Sequence, residues 1–372
     1  MKKLTALLLA GAMALSLAAC GGGGSSSTPT PDASTPDASN TDTSTPSTSA
    51  DTGAYDDLES VSLILADSAA PGAAGAVFDE MIAEKAAEIT GGKLEIQTYI
   101  NGELGADVDL LRQMQNGDID MVGSQLAALV SFCPELAIFD LPMVFAPYTG
   151  DQIEEVLNGD SETRAALDVA FENANWHLLG FLQNATYRLT TANTNLETLA
   201  DFEGLMIRTM ENSNHMAFWE AIGAAPTPMA WNEVYFALQS GNIAAEENAA
   251  DTIVGANLFE VQDYLACTNH ILYVNQISIN KDSWDALDPA YQEALQEAVN
   301  LAIEEMRVQL VDIDTQNKET LVEGGMTMIE YEPEFFEEVL AVPGVQQLYS
   351  DINEQTNGLA QTLQDELAAA AA

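Results

Sequence analysis

From residue 62 onward, short apolar runs alternate with stretches in which apolar residues return at helical spacing. Residues 62–66 predict a strand, 73–89 an amphipathic helix stopped by Gly91-Gly92, and 94–100 a second strand. Residues 108–115 predict a helix stopped by Asn116-Gly117, and 119–122 a third strand. A β-α-β-α-β order of this kind implies a parallel sheet with helices on its faces. The apolar run at 136–145 is interrupted by Pro142, so it is read as a connecting loop or short helix. Residues 153–173 return to helical spacing, and 176–182 read as a strand.

A second block repeats the logic. Strands are expected at 188–190 and 205–209, and a helix at 212–222 with Asn212 or Ser213 as its cap. After Pro226-Thr227-Pro228 a helix runs through Trp231, Tyr235 and Leu238 and stops at Ser240-Gly241-Asn242. Residues 243–248 read as a strand, and 271–279 as one that returns to the first block. Asp288-Pro289 is a helix start, an N-cap followed by proline at the first helical position. The pattern then stays helical to about residue 322 without a breaker, far beyond the usual ~11–12 residues, so this helix can brace two lobes. Residues 326–329 read as a strand, and the remainder is helical.

The first 57 residues follow a different pattern. Met1-Lys2-Lys3, the apolar stretch 4–17 and Leu17-Ala18-Ala19-Cys20 read as an export signal ending in a lipobox, with Cys20 as the lipidated residue. Residues 20–57, rich in Gly, Ser, Thr, Pro and Asp, have little to bury and read as a disordered tether of roughly 35 Å typical reach. About 315 residues remain, enough for two lobes. Past the signal, no run approaches the ~20 apolar residues that cross a membrane.

Charge narrows the function. The formal net charge is -47, and without Lys2 and Lys3 there are 9 basic against 58 acidic residues. Nucleic acid is excluded as a partner by repulsion. Only Arg112, Arg164, Arg188, Arg208 and Arg307 are available to build a positive pocket for an anion. Cys133 and Cys267 follow no metal spacing, which leaves a disulfide or two buried thiols open. There is no G-x-S-x-G, H-E-x-x-H, phosphate-loop or paired C-x-x-C motif, and His177, His215 and His270 are scattered, so no catalytic residue is assigned and no enzyme is expected.

The stretch 199–248 carries four blocks in order. They are Asp201-Phe202-Glu203-Gly204-Leu205-Met206-Ile207-Arg208, then Ala221 to Met229 with Pro226-Thr227-Pro228, then Glu233 to Gly241, then Glu246-Glu247-Asn248. Together with Asn116 to Met121 and Phe139-Asp140-Leu141-Pro142, they resemble the signature core of the DctP family of TRAP transporter solute-binding proteins. The resemblance covers nearly all of the chain from residue 62 and weakens after about residue 318.

That resemblance implies an α/β, two-lobed, periplasmic-binding-protein-like fold, with a mixed or parallel sheet in each lobe, a hinge, and a long helix spanning both lobes. The expected organisation is a signal at 1–19, a lipidated linker at 20–57, a first lobe of 58–185 and 274–313, and a second of 186–273 and 314–372. It also implies that Arg208 makes a two-pronged salt bridge to a ligand carboxylate, a role that suits a planar, permanently charged guanidinium. Arg188, with Tyr187 and Thr190, matches a second family arginine, although Thr186 replaces the family glycine. Asn248 matches a ligand-contacting asparagine whose neighbours here differ, and Glu246 is expected to alter ligand choice. Gln125 stands where the sialic-acid-binding branch carries glutamate, which argues against sialic acid itself. Trp231 and Tyr235 are read either as ligand-facing or as packing residues, and Asp67 and Ser68 as first-lobe contacts. No cofactor is expected, and a ligand-associated metal ion stays open. The expected partners are a small organic carboxylate and the small and large membrane subunits of a TRAP permease. The chain is expected to be a monomer held by its lipid outside the cell membrane. The rival readings are an ABC-type binding lipoprotein, a surface-anchored hydrolase and an adhesive protein.

Overall fold

The computed structural model describes residues 52–372. The expected signal, Cys20 and the expected linker up to residue 51 lie outside the described residues. The end of the expected tether is folded: a 3₁₀ turn at Thr52–Tyr55 sets Tyr55 against Tyr291, with ring centroids 5.9 Å apart. An aromatic ring gives this segment something to bury that the Ser/Thr/Pro run lacks.

Strand β1 (Val61–Ala66) leads to α1 (Ala74–Thr90), which closes where Gly91 adopts a left-handed conformation with φ 61°. Next come β2 (Leu94–Tyr99), α2 (Asp107–Asn116), closed in the same way by Gly117, and β3 (Met121–Gln125). Two 3₁₀ turns, Leu126–Ser131 and Pro134–Asp140, occupy the apolar, proline-broken stretch. The helical spacing at 153–173 resolves into two helices, α3 (Gly150–Leu157) and α4 (Glu162–Asn173), and β4 (Trp176–Leu182) follows. The break has two causes. A Cβ at Gly159 would stand 2.1 Å from the Glu155 carbonyl oxygen, and the Ser161 hydroxyl accepts the Arg164 N–H at 2.8 Å to start a new helix.

The second block contains β5 (Leu189–Ala192), β6 (Met206–Thr209), α5 (Ser213–Ala221) capped by Asn212, β7 (Ala225–Pro228), α6 (Trp231–Gln239), β8 (Ala245–Asn248), α7 (Ala250–Gly255) and β9 (Tyr264–Ala266). Then come β10 (Asn275–Asn280), α8 (Lys281–Ala286), α9 (Pro289–Glu323), β11 (Thr327–Ile329), α10 (Pro333–Ala341), α11 (Pro343–Gln355) and α12 (Leu359–Ala370). β7, α7 and β9 were not expected from the sequence. Pro226 and Pro228 are tolerated in β7 because it is the edge strand of its sheet.

The strands form two mixed sheets, β2-β1-β3-β10-β4 and β11-β9-β5-β8-β6-β7. β1 runs parallel to β2 and β3, whereas β10 runs antiparallel to β3 and β4, so the chain does return to the first sheet. Between the sheets two crossing segments lie side by side. The Tyr273 N–H donates to Thr186 O at 2.9 Å and the Arg188 N–H to Ile271 O at 2.9 Å, around a Tyr187–Leu272 bridge.

α9 makes the third connection. Its 35 residues extend about 52 Å. Tyr291 to Leu310 pack into the core of the first sheet, and Leu321 joins the core under β5 and β9. The C-terminal segment, assigned from sequence to the second lobe, divides: α11 lies on α5, but α12 packs against α3 and α4 beside the first sheet. The α12 stripe of Leu359, Ala360, Leu363 and Leu367 is apolar and fully covered there. Cys133 and Cys267 are both buried free thiols.

Candidate functional site

β6 runs parallel to β7 in a register that pairs Arg208 with Thr227 and Thr209 with Pro228. The chain leaving β7 therefore passes beside Arg208 twice. Arg208 Nε and Nη2 both donate to Met229 O, at 2.9 and 2.7 Å, and the Trp231 ring centroid lies 5.5 Å from the guanidinium carbon. The side chain is 2 % exposed, and its Nη1 has no partner among the described residues. Burial pulls its pKa down, opposed by Glu247 and Glu246, yet an arginine stays ionised. A fixed cation with one unsatisfied donor nitrogen is a ready anion receptor.

Arg208 lines a cavity of about 50 Å³ between the two sheets. Asp67, Ser68, Gln125, Trp231 and Asn248, all singled out in the sequence, line it too. Their positions follow from the topology: Asp67 and Ser68 follow β1, Gln125 ends β3 and Asn248 ends β8. Ligands of open α/β sheets bind in such crevices outside strand ends. The cavity adjoins a wider groove of about 460 Å³ with which it shares Ser68, Asp107 and Trp231.

Three candidates fall elsewhere. Tyr235 lines only the outer groove and donates its hydroxyl to Glu260 at 2.7 Å. Glu246 is fully buried outside the cavity lining, where one oxygen accepts from Thr191 at 3.2 Å. Burial and neighbouring Glu247 push its pKa up to about 7. Arg188 is clasped by Glu247: Nε donates to Oε2, and Nη2 donates to Oε1 at 3.1 Å and to the backbone oxygen at 2.9 Å. Only Nη1 turns toward the site, 3.5 Å from Gln125 Oε1.

Burial alone would raise Glu247, but Arg188, His215 and His270 hold its carboxyl well below the usual range. His270 Nε2 is 3.1 Å from Glu247 Oε2. His215 Nδ1 lies 3.8 Å from Glu247 Oε1 and its Nε2 3.1 Å from Asp140 Oδ1. Burial opposes charge on His215, yet Asp140 and Glu247 prevail and lift it to about 9. Asp140 also accepts from Asn212 and Asn214, at 2.9 and 3.0 Å. This network stands behind the cavity and stiffens its wall, since breaking one member would strand a buried charge.

The structure adds lining residues that the sequence did not point to. Asp107 accepts the Ser68 hydroxyl at 2.5 Å, and Asn275 Oδ1 accepts Gln125 Nε2 at 2.5 Å. The Tyr273 hydroxyl pairs with Thr252 Oγ1 at 2.7 Å. Asn275 and Tyr273 lie on the returning segment, and only knowing that it crosses between the sheets would have found them. Among the described residues no group of three His, Cys, Asp or Glu side chains is placed to hold a metal, and no helix is long and apolar enough to cross a membrane.

Residues 70–355 match the family described as bacterial extracellular solute-binding protein, family 7, or DctP. A solute-binding protein of Verminephrobacter eiseniae is 28% identical over 251 residues, which are 68% of this chain and 74% of that one. The sialic acid-binding periplasmic protein SiaP of Vibrio cholerae is 30% identical over 220 residues, 59% of this chain and 67% of the relative. Among solved structures, a TRAP periplasmic solute-binding protein from Bordetella bronchispeptica, with density attributed to pantoate, superposes with a TM-score of 0.74. It is 27% identical, and the match covers 82% of this chain and 99% of that one. The sugar acid binding protein of Advenella mimigardefordensis, solved with galactonate, gives a TM-score of 0.78 at 20% identity, over 84% of this chain and 100% of that one.

Proposed function

Because the chain belongs to the bacterial extracellular solute-binding proteins of family 7, we propose that it captures a small organic carboxylate on Arg208 and hands it to the membrane subunits of a TRAP permease. The observation that carries this reading is the unpartnered Nη1 of a buried arginine lining the interlobe cavity. A carboxylate oxygen there satisfies that donor and neutralises a charge that water cannot reach. The Trp231 ring, 5.5 Å from the guanidinium carbon, adds a cation–π contact. Asn248 and Gln125 offer further polar contacts from the two sheets, and Arg188 acts by orienting Gln125. The relatives named for sialic acid and pantoate support an acid ligand, since both compounds carry a carboxylate.

Capture by closure of two lobes about the crossing segments would bury the ion pair. Lipidation of Cys20 would hold the protein at the outer face of the membrane, where the permease is.

The test is calorimetry of organic acids on wild type, Arg208→Lys and Arg208→Ala. Removing one member of a buried charge pair costs about 3–5 kcal/mol. Arg208→Ala is expected to lower affinity at least a hundredfold, and Arg208→Lys to restore only part of it, because an ammonium lacks the planar fork. An acid that binds Arg208→Ala as tightly as wild type refutes the assignment.

A further inference from the structure

The same cavity contains a second pole whose chemistry is opposite. Asp67 lines it at 3 % exposure, with Oδ1 accepting the Ala69 N–H at 2.8 Å. Behind it Asp79, on α1, is 0 % exposed and within hydrogen-bonding reach of the Asp67 carboxyl. Neither Asp79 oxygen has a donor from any other residue. Two glycines make room for the pair. A Cβ at Gly75 would lie 3.1 Å from Asp67 Oδ2, and one at Gly123 2.5 Å from Asp79 Oδ1.

Among the described residues, no basic side chain is paired with either carboxyl. The ionisable groups acting on them are Asp107 from α2, Glu80 from α1 and Tyr273 from the crossing segment, with Asp251 of α7 beyond Tyr273. The one cation in the lining is Arg208. Two carboxyls this close and this dry cannot both ionise, so they hold a proton in common.

We propose that Asp67, sharing one proton with Asp79, forms the selecting pole of the site: it takes acids whose far end donates a hydrogen bond, a hydroxyl or an ammonium, and rejects a second carboxylate. This rests on the reading of Arg208 as the carboxylate receptor. The acceptors facing the cavity fit it, for Asp107 and Asn275 Oδ1 stand with Asp67. A hydroxyl donates to Asp67 and leaves the shared proton in place. An ammonium likewise keeps that proton in place and becomes the counter-ion of the singly ionised pair. A second carboxylate at that end meets the Asp67 and Asp107 carboxyls, with Arg208 already taken by the first. Burial, with Asp107 nearby, raises Asp67 to about 7, so a dicarboxylate binds better as pH falls below that value.

Matched acids test this by calorimetry on the mature protein at pH 7.5. Galactonate and galactarate share a carbon skeleton and differ in a terminal hydroxymethyl against a carboxylate. 4-Hydroxybutyrate, 4-aminobutyrate and succinate form the same comparison in a shorter chain. At least one donor-ended acid is expected to bind tenfold or more tighter than its dicarboxylate partner. At pH 5.5 galactarate is expected to gain on galactonate. Asp67→Asn and, separately, Asp79→Asn, which does not touch the cavity, narrow the gap at pH 7.5, with thermal melts reporting that each variant folds. A dicarboxylate that binds as tightly as its partner, while Arg208→Ala abolishes both, overturns the selecting pole and leaves the carboxylate reading intact. Failure of every acid in both series to bind wild type overturns both.

Discussion

A carboxyl buried beside another carboxyl changes what pH does to the folded chain. Asp67 in the fold holds its proton up to about 7, against a usual value of 3.8, because burial penalises its charge. Asp79 is raised further by burial and by Asp67. The folded state therefore binds more protons than the unfolded chain between about pH 4 and 7, and stability falls as pH rises through that window. Asp79→Asn removes one of the two acids and supplies an amide donor to the other. The difference in Tm between pH 5 and pH 8 is expected to shrink by about 1–2 °C, the shift that roughly 1 kcal/mol produces in a folded chain of more than 300 residues. A wild-type pH slope in the variant would mean that the pair shares no proton. Glu247 has the opposite sign: Arg188 and two histidines hold it ionised, so it stabilises the fold at neutral pH.

Arg208 was legible as a residue because its motif is long and positively charged side chains are scarce. Arg188 was read as a second ligand-binding arginine, and not as the partner of Glu247. That pairing depends on which way the side chains leave two antiparallel strands, β5 and β8. Asp79 was invisible, since one acid among 58 in an amphipathic helix is ordinarily solvated.

At the scale of elements, glycines, caps and hydrophobic spacing were readable wherever the signal is local. Gly91, Gly117, Asn212 and the Asp288-Pro289 start all terminate or begin helices as expected. Spacing alone ran α3 and α4 together, because Asn158-Gly159-Asp160 does not interrupt the apolar period. The steric demand at Gly159 yields a prediction. Gly159→Ala forces a methyl onto the Glu155 carbonyl and is expected to cost about 1–3 kcal/mol in urea unfolding. Unchanged stability would show that the turn between the two helices relaxes freely. β7 and β9 escaped notice for different reasons: two prolines argue against a strand unless it lies at an edge, and three residues are too few to show a period.

At the scale of the molecule, the two sheets face each other across the site, joined by two crossing segments and α9. Asp251, at the start of α7, accepts the Ala74 N–H at 2.8 Å, so a residue beyond β8 caps the helix that follows β1. This contact bridges the cleft beside Asp67 and Tyr273, where closure would be felt. The proposed lipid anchor also belongs to this scale. Cys20→Ala is expected to move the protein from the membrane fraction to the soluble extracytoplasmic fraction without altering acid binding by the purified protein. Retention in the membrane fraction would refute the anchor.

The amino-acid sequence by itself determined the alternation of strands and helices and the long α9, and it singled out the arginine now proposed to receive an anion. These depend on local spacing, capping and charge, which act over a few residues. The tertiary structure alone decided which carboxyls lose water and share a proton, which arginine is neutralised by Glu247, and which faces the cavity with a free nitrogen. Those outcomes depend on burial and on distances between residues 150 positions apart, such as Gln125 and Asn275. Desolvation sets the charge of a group only once the fold has enclosed it.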